Sequence, residues 1–271
     1  MTGLYDLTKD ELSEWLGNEP RFRVTQVWEA LYQQFVEPSE MTTLPKALRA
    51  RLAEELKPSL TLVTERVSDG GDTAKFLWEL EGGARIETVL MLYPDRVTVC
   101  VSTQAGCAMA CGFCATGQAG FTRQLTVGEI VEQVVRAARR GREANRRVGN
   151  IVFMGMGEPL ANEPAVHAAV KRLHDDVGIS ARHLTVSTVG IVPGIHKLAK
   201  WPQPVNLAVS LHAANDALRD ELVPINKRYP LNELMEACAD YLEARGRRLS
   251  FEWALIDGVN DRLQDVHELA E

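Results

Sequence analysis

Three thiols, Cys107, Cys111 and Cys114, stand at C-x3-C-x2-C spacing directly after an apolar run, residues 97–102, that has the pattern of a β-strand. Thiolates are soft ligands suited to iron–sulfur clusters and to zinc. Structural zinc normally takes four protein ligands, and no fourth Cys or close His stands nearby. A 4Fe-4S cube held by three cysteines leaves one iron without a protein ligand, free to bind a small molecule. The bland alternatives are three reduced thiols in a tight loop, or a zinc knuckle completed from elsewhere in the chain.

Other groups capable of chemistry fall at expected strand ends. Met154-Gly155-Met156-Gly157-Glu158-Pro159 combines glycines, which let a backbone approach a ligand, with a carboxylate that can accept from an ammonium group. Ser187 ends one strand, and Ser210-Leu211-His212 ends the next; hydroxyl and imidazole can bond a ribose or a carboxylate. Taken singly, each is as well explained by a Gly-rich turn, a cap or a satisfied core residue. Cys100 lies inside the strand before the thiol loop, badly placed as a fourth ligand, and Cys238 reads as core. Glu87, taken by itself, reads as an exposed strand carboxylate.

The elements that must position these groups follow from periodicity. Residues 1–60 read as a small helical domain, with a capping box at Thr8 to Glu11 and a helix carrying Val24, Val27, Trp28 and Leu31. Residues 61–95 change to short strands with Gly-rich turns, a β meander that links the two domains. From residue 96 to 271 strands and helices alternate, which predicts parallel strands covered by helices, with five strands countable. In barrels of this type the site lies where strands end and βα loops converge.

Composition sets bounds. The 271 residues are 45% hydrophobic and 25% charged, ordinary for a globular protein, and no stretch is long and apolar enough to span a membrane. No secretory signal is visible, and three of five cysteines crowd into eight residues, so a reducing, cytoplasmic compartment is expected rather than a disulfide framework. A net charge of −7 does not advertise nucleic-acid binding. Arg136, Arg139, Arg140, Arg142, Arg146 and Arg147 nevertheless crowd one segment, either a local phosphate-binding surface or a solvated helix end.

The run from Cys100 to Gly117, with Phe113 just before the third thiol and Gly120-Phe121-Thr122-Arg123 after it, resembles the radical S-adenosylmethionine (SAM) superfamily and, more narrowly, the RlmN/Cfr family of RNA methyltransferases, RlmN more than Cfr. The resemblance implies a partial (β/α)6 radical SAM barrel, a 4Fe-4S cluster on Cys107, Cys111 and Cys114, and SAM contacts at Gly157, Glu158, Ser187, Ser210, Leu211 and His212. It implies Glu87 as a general base and Cys100 as the thiol that resolves a methyl-cysteine-linked enzyme–RNA intermediate. It further implies an RNA-binding N-terminal domain, 23S rRNA and tRNA as substrates methylated at adenine C2, and an electron donor such as a flavodoxin-type reductant. Val223-Pro224-Ile225-Asn226-Lys227 also matches, with no chemical role assigned.

In this family the methyl-carrier cysteine lies in a C-terminal segment, and no Cys follows Cys238 here. By the same analogy one strand and one helix are missing, so the expectation is a truncated or naturally short chain. Two rivals stand beside the C2 reading: a Cfr-like enzyme acting at adenine C8, and a non-catalytic RNA-binding remnant with a structural metal site.

Overall fold

Thr8 and Glu11 exchange hydrogen bonds in a capping box that opens α1 (Lys9–Leu16), whose Leu12 and Leu16 are buried. The computed structural model describes residues 3–270. α2 (Phe22–Tyr32) buries Val27, Trp28, Leu31 and Tyr32, and α3 (Lys46–Glu55) buries Leu48 and Leu52. Their apolar side chains join the same hydrophobic core as the rest of the chain.

The meander is β1 (Thr61–Ser68), β2 (Thr73–Glu79) and β3 (Arg85–Leu92), paired antiparallel. β3 then pairs antiparallel with β4 (Val97–Cys100), Val89 opposite Cys100, so the meander continues into the main sheet. After β4 comes a hairpin of β5 (Gln104–Gly106) and β6 (Phe121–Gln124) that encloses the thiol loop and the short α4 (Ala115–Gln118).

Alternation follows: α5 (Val127–Glu143), β7 (Asn150–Phe153), α6 (Glu163–Asp175), β8 (Leu184–Thr188), α7 (Val192–Leu198), β9 (Asn206–Ser210), α8 (Asp216–Leu222), α9 (Leu231–Arg245), β10 (Leu249–Glu252) and α10 (Leu263–Ala270). The sheet order is β1-β2-β3-β4-β7-β8-β9-β10, with β4, β7, β8, β9 and β10 parallel. Five parallel strands in chain order, each next to its predecessor, wind in the one direction of a partial barrel.

The sheet's two faces differ. Ile86, Thr88 and Leu90 of β3 are buried, whereas Glu87, Val89 and Met91 on the other face are partly open. Register carries that open face across the sheet through Cys100, Val152, Thr185, Ser187, Ser210 and Glu252. α5 buries Ile130, Val131, Val134 and Val135 on the covered side.

The six arginines expected as a phosphate surface or a solvated helix end are mostly neither. Arg136 binds Glu132 and Glu37, Arg139 binds Glu37 and Glu40, and Arg140 binds Glu65. Arg142 donates to the carbonyls of Gln33 and Gln34, and Arg146 to that of Tyr93. Their charges are spent joining α5 and the segment after it to the N-terminal helices and the meander. The other side of that seam is Trp28 Nε1 donating to Asp176 at 2.8 Å and Arg172 donating to the Tyr32 hydroxyl at 2.7 Å.

Candidate active site

The thiol loop is pinned at both ends. Gly106 has φ +78°, and a Cβ there would lie 2.0 Å from the Gly120 carbonyl oxygen, which accepts from the Cys107 N–H at 2.9 Å. The Cys114 N–H donates to the Cys111 carbonyl at 3.1 Å, and Gly112 donates to the carbonyl of Leu222 at the end of α8. Cys107 and Cys111 are buried and Cys114 half-buried. Burial pushes the Cys111 thiol up to about 12, and the other two thiols and Glu158 push the same way, so the three sulfurs and that carboxylate lie within electrostatic reach of one another.

Among the described residues no group of three or more His, Cys, Asp or Glu is arranged to hold a single metal ion. A cubane attaches each thiolate to a different iron, so its three ligands stand wider apart than those of a one-ion site. The donor set, three soft thiols on a rigid loop, suits such a cluster once its protons leave.

A second segment is laced to the first. Gly155 donates to Val101 O at 3.0 Å, Met156 to Ser102 Oγ at 2.9 Å, and Thr103 and Gln104 both donate to Met156 O. Glu158 donates its N–H to Gln104 Oε1 at 2.7 Å. Gly157 sits at φ +102°, where a Cβ would come within 2.5 Å of Gln104 Cβ; the glycine is required by this lacing as such. Glu158 is 2% exposed, and its two oxygens accept the backbone N–H groups of Leu160 and Val189 at 2.9 and 2.8 Å. Burial pushes its pKa up to about 7 against the pull of those donors.

Gly157, Glu158, Ser187 and Ser210 line one cavity of about 280 Å³ at the C-terminal ends of β7, β8 and β9, together with Met154 and Glu252. It shares Met154 and Glu252 with a neighbouring cleft of about 620 Å³ inside the sheet's curve. Ser187 Oγ donates to the Phe153 carbonyl at 2.7 Å, which leaves its lone pairs for a ligand. Leu211 and His212 stand outside the cavity wall: Leu211 is buried, and the His212 ring meets Phe113 of the thiol loop edge-on at 4.6 Å.

Glu87 and Cys100 form a separate pair. In the β3–β4 ladder Glu87 is the diagonal neighbour of Cys100 on the open face, a Cα separation of roughly 7–8 Å in such sheets. Glu87 pairs with Lys75 at 2.9 Å, both partly exposed. Burial pushes the Cys100 thiol up to about 11, so it is protonated at neutral pH.

Two residues at this site, Glu252 and Arg219, are not marked by the sequence, and Asn226 is marked without a role. Glu252 lies beside Ser210 in the β9–β10 register, and the rule that strand ends carry the chemistry would have found it. Arg219 is wholly buried and so is Asn226, which the sequence marks only as part of a family-like stretch. Arg219 sits among Asp216, Asp220 and Glu221 in the chain, so nothing local announces its burial.

Two family profiles match this sequence: "Radical SAM superfamily" over residues 101–270, and "Ribosomal RNA large subunit methyltransferase N-terminal domain" over residues 2–57. A protein of Frankia casuarinae named "Probable dual-specificity RNA methyltransferase RlmN" is 52% identical over 99% of this chain and 67% of its own length. A Chloroflexus aurantiacus protein of the same name is 50% identical over 98% of this chain and 74% of its own. The crystal structure of a radical SAM methyltransferase from Sphaerobacter thermophilus superimposes with a TM-score of 0.95 at 54% identity, covering 100% of this chain and 81% of that one.

Proposed function

Since the chain belongs to the radical SAM superfamily and, within it, to the RlmN family of RNA methyltransferases, we propose that it methylates C2 of an adenosine in 23S rRNA and in tRNAs. The observation that carries this reading is the lacing of residues 101–104 to residues 155–158, which sets the three-thiol loop beside a carboxylate-bearing cavity at the ends of parallel strands.

The family's cofactors are a 4Fe-4S cluster and SAM. Cys107, Cys111 and Cys114 would hold the cluster, and together with SAM it supplies one-electron chemistry able to functionalise a carbon that is no nucleophile. Glu158 would accept from the ammonium group of the ligand through the lone pairs its two backbone donors leave free, with Gly157 beside it in the same cavity wall. Ser187 and Ser210 offer hydroxyls along the same wall. His212 braces the thiol loop through its edge-on contact with Phe113. Cys100, once deprotonated, would attack the thioether sulfur of the enzyme–RNA intermediate, an S–S bond forming as the S–C bond to the base-linked methylene breaks and that carbon keeps the electron pair. Glu87 would take a proton from the target base, which must leave its stack to be reached.

The N-terminal residues 1–60 serve as the RNA-binding domain and residues 61–95 as the meander joining it to the barrel, residues 96–271. Among the described residues no helix is long and apolar enough to cross a membrane. A cytoplasmic setting and a flavodoxin-type electron donor belong to the same proposal. Anaerobic reconstitution tests the reading. About four irons per chain are expected from a cube, with 5′-deoxyadenosine released from SAM under dithionite. Zinc, or cluster without SAM cleavage, would sink it. Chromatography of the nucleosides from treated RNA against 2-methyladenosine and 8-methyladenosine standards, which share one mass, separates C2 from C8 methylation.

A further inference from the structure

Arg219 of α8 is the largest wholly buried side chain in the described structure, and no carboxylate touches it there. Nε donates to Leu211 O at 3.1 Å, Nη1 to Asn226 Oδ1 at 2.7 Å, and Nη2 to Val189 O at 2.7 Å and Ser210 O at 3.2 Å. All four acceptors are neutral. Asp216 and Asp220 stand one step farther out, reached through Asn226 Nδ2 at 2.9 and 2.7 Å. Asn226 thus separates the guanidinium from the two carboxylates.

A buried cation without an anionic partner is strongly unfavourable unless something else compensates it. Burial pulls the Arg219 pKa down to about 10, which still leaves it charged at neutral pH. Its position lies against the thiol loop. α8 ends on that loop, Gly112 donating to Leu222 O at 3.1 Å about one turn beyond Arg219. Arg219 Nε binds the carbonyl of Leu211, next to the His212 ring that meets Phe113 of the loop at 4.6 Å.

We infer that Arg219 sets the reduction potential of the cluster held by Cys107, Cys111 and Cys114, its fixed positive charge favouring the reduced state. The inference rests on the reading of the thiol loop as a 4Fe-4S site. A cluster on three thiolates is anionic and becomes one unit more so on reduction, and in a low-dielectric interior a nearby cation lowers the free energy of that step. Neutral acceptors fix the guanidinium without cancelling its field. Because the same fork ties the ends of β8 and β9, Arg219 is a positioning residue as well as a charge.

The test is a potentiometric titration, followed by electron paramagnetic resonance, of reconstituted wild type, Arg219→Lys, Arg219→Met and Asp220→Asn, with iron and sulfide assayed on each. Arg219→Met is expected to lower the reduced-to-oxidised ratio at fixed potential about tenfold, which is about 59 mV for one electron. Arg219→Lys keeps the charge and should stay within about twofold of wild type. Asp220→Asn removes an opposing charge without removing the acceptor and should shift the ratio upward. A loaded cluster with the same potential in all four proteins overturns the inference alone. A wild type that binds no iron and sulfide overturns the site reading with it. Where Arg219→Met fails to load, Asp220→Asn decides: an upward shift supports the assignment, and an unchanged potential overturns it.

Discussion

Ala254 donates its backbone N–H to Nδ1 of His212 at 3.0 Å, which commits that lone pair and leaves Nε2 as the protonated nitrogen of a neutral ring. Burial first, and the Arg219 charge second, hold the His212 pKa down to about 4 from an ordinary 6.5. A ring harder to protonate when folded than when unfolded stabilises the fold fully above the unfolded value, and that contribution drains away as pH falls toward 4. Between about pH 7 and about pH 4.5, wild type should lose about 2 kcal/mol more stability than His212→Asn, a figure below the full shift because the window ends above the folded value of about 4. Asn suits the left-handed backbone at φ +62°. Urea denaturation across the window checks it; parallel losses in the two proteins would show that the ring is not held neutral.

Gly157→Ala should destabilise the protein by about 2–3 kcal/mol, since the new methyl adds a collision with Gln104 to the cost of a positive φ. Gly178 is the control: φ is +81° there, yet nothing lies within 4 Å of a built Cβ. Gly178→Ala should cost only about 1 kcal/mol of backbone strain. Equal losses in denaturant melts would mean that Gln104 moves aside freely.

Arg136→Ala leaves the wholly buried Glu132 with backbone donors alone, the Ser59 N–H at 2.7 Å and that of Leu60. Burial already pushes Glu132 up to about 7 against the pull of Arg136. The variant should lose about 2–3 kcal/mol at neutral pH and less at about pH 5, where a protonated carboxyl needs no cation. Limited proteolysis should then cut between the N-terminal helices and α5 faster than in wild type. Arg139→Ala, whose partners Glu37 and Glu40 are solvated, should cost no more than about 1 kcal/mol.

Glu87→Gln separates structure from chemistry. The Lys75–Glu87 pair is exposed on both sides, so melting should change by less than about 1 kcal/mol. RNA methylation should fall about a hundredfold or more if Glu87 moves a proton. Methylation at the wild-type rate, followed by mass analysis of the RNA, would return Glu87 to the role of a surface strand residue.

Local signals carried much of this fold. The capping boxes at Thr8 and Thr126 open helices where their side chains indicate, and alternation from residue 96 onward corresponds to five parallel strands. Non-local pairing was harder to read. Nothing near Val89 announces that its partner is Cys100, so the continuity of meander and barrel sheet emerges only from the ladder. The β5–β6 hairpin is too short, three and four residues, for any period to register. The arginine-rich segment shows the limit of composition: charge density is visible in the sequence, but the carboxylates of residues 37, 40 and 65 that absorb it are distant in the chain.

The lacing of residues 101–104 to residues 155–158 also constrains length. Loops at the ends of barrel strands ordinarily tolerate insertions, because each stands alone above a rigid scaffold. Here one added residue in either segment would slide Met156 past the N–H groups of Thr103 and Gln104 and pull Glu158 away from the Gln104 side chain. The two stretches therefore behave as a single ruler, and any change in the spacing of one needs a matching change in the other.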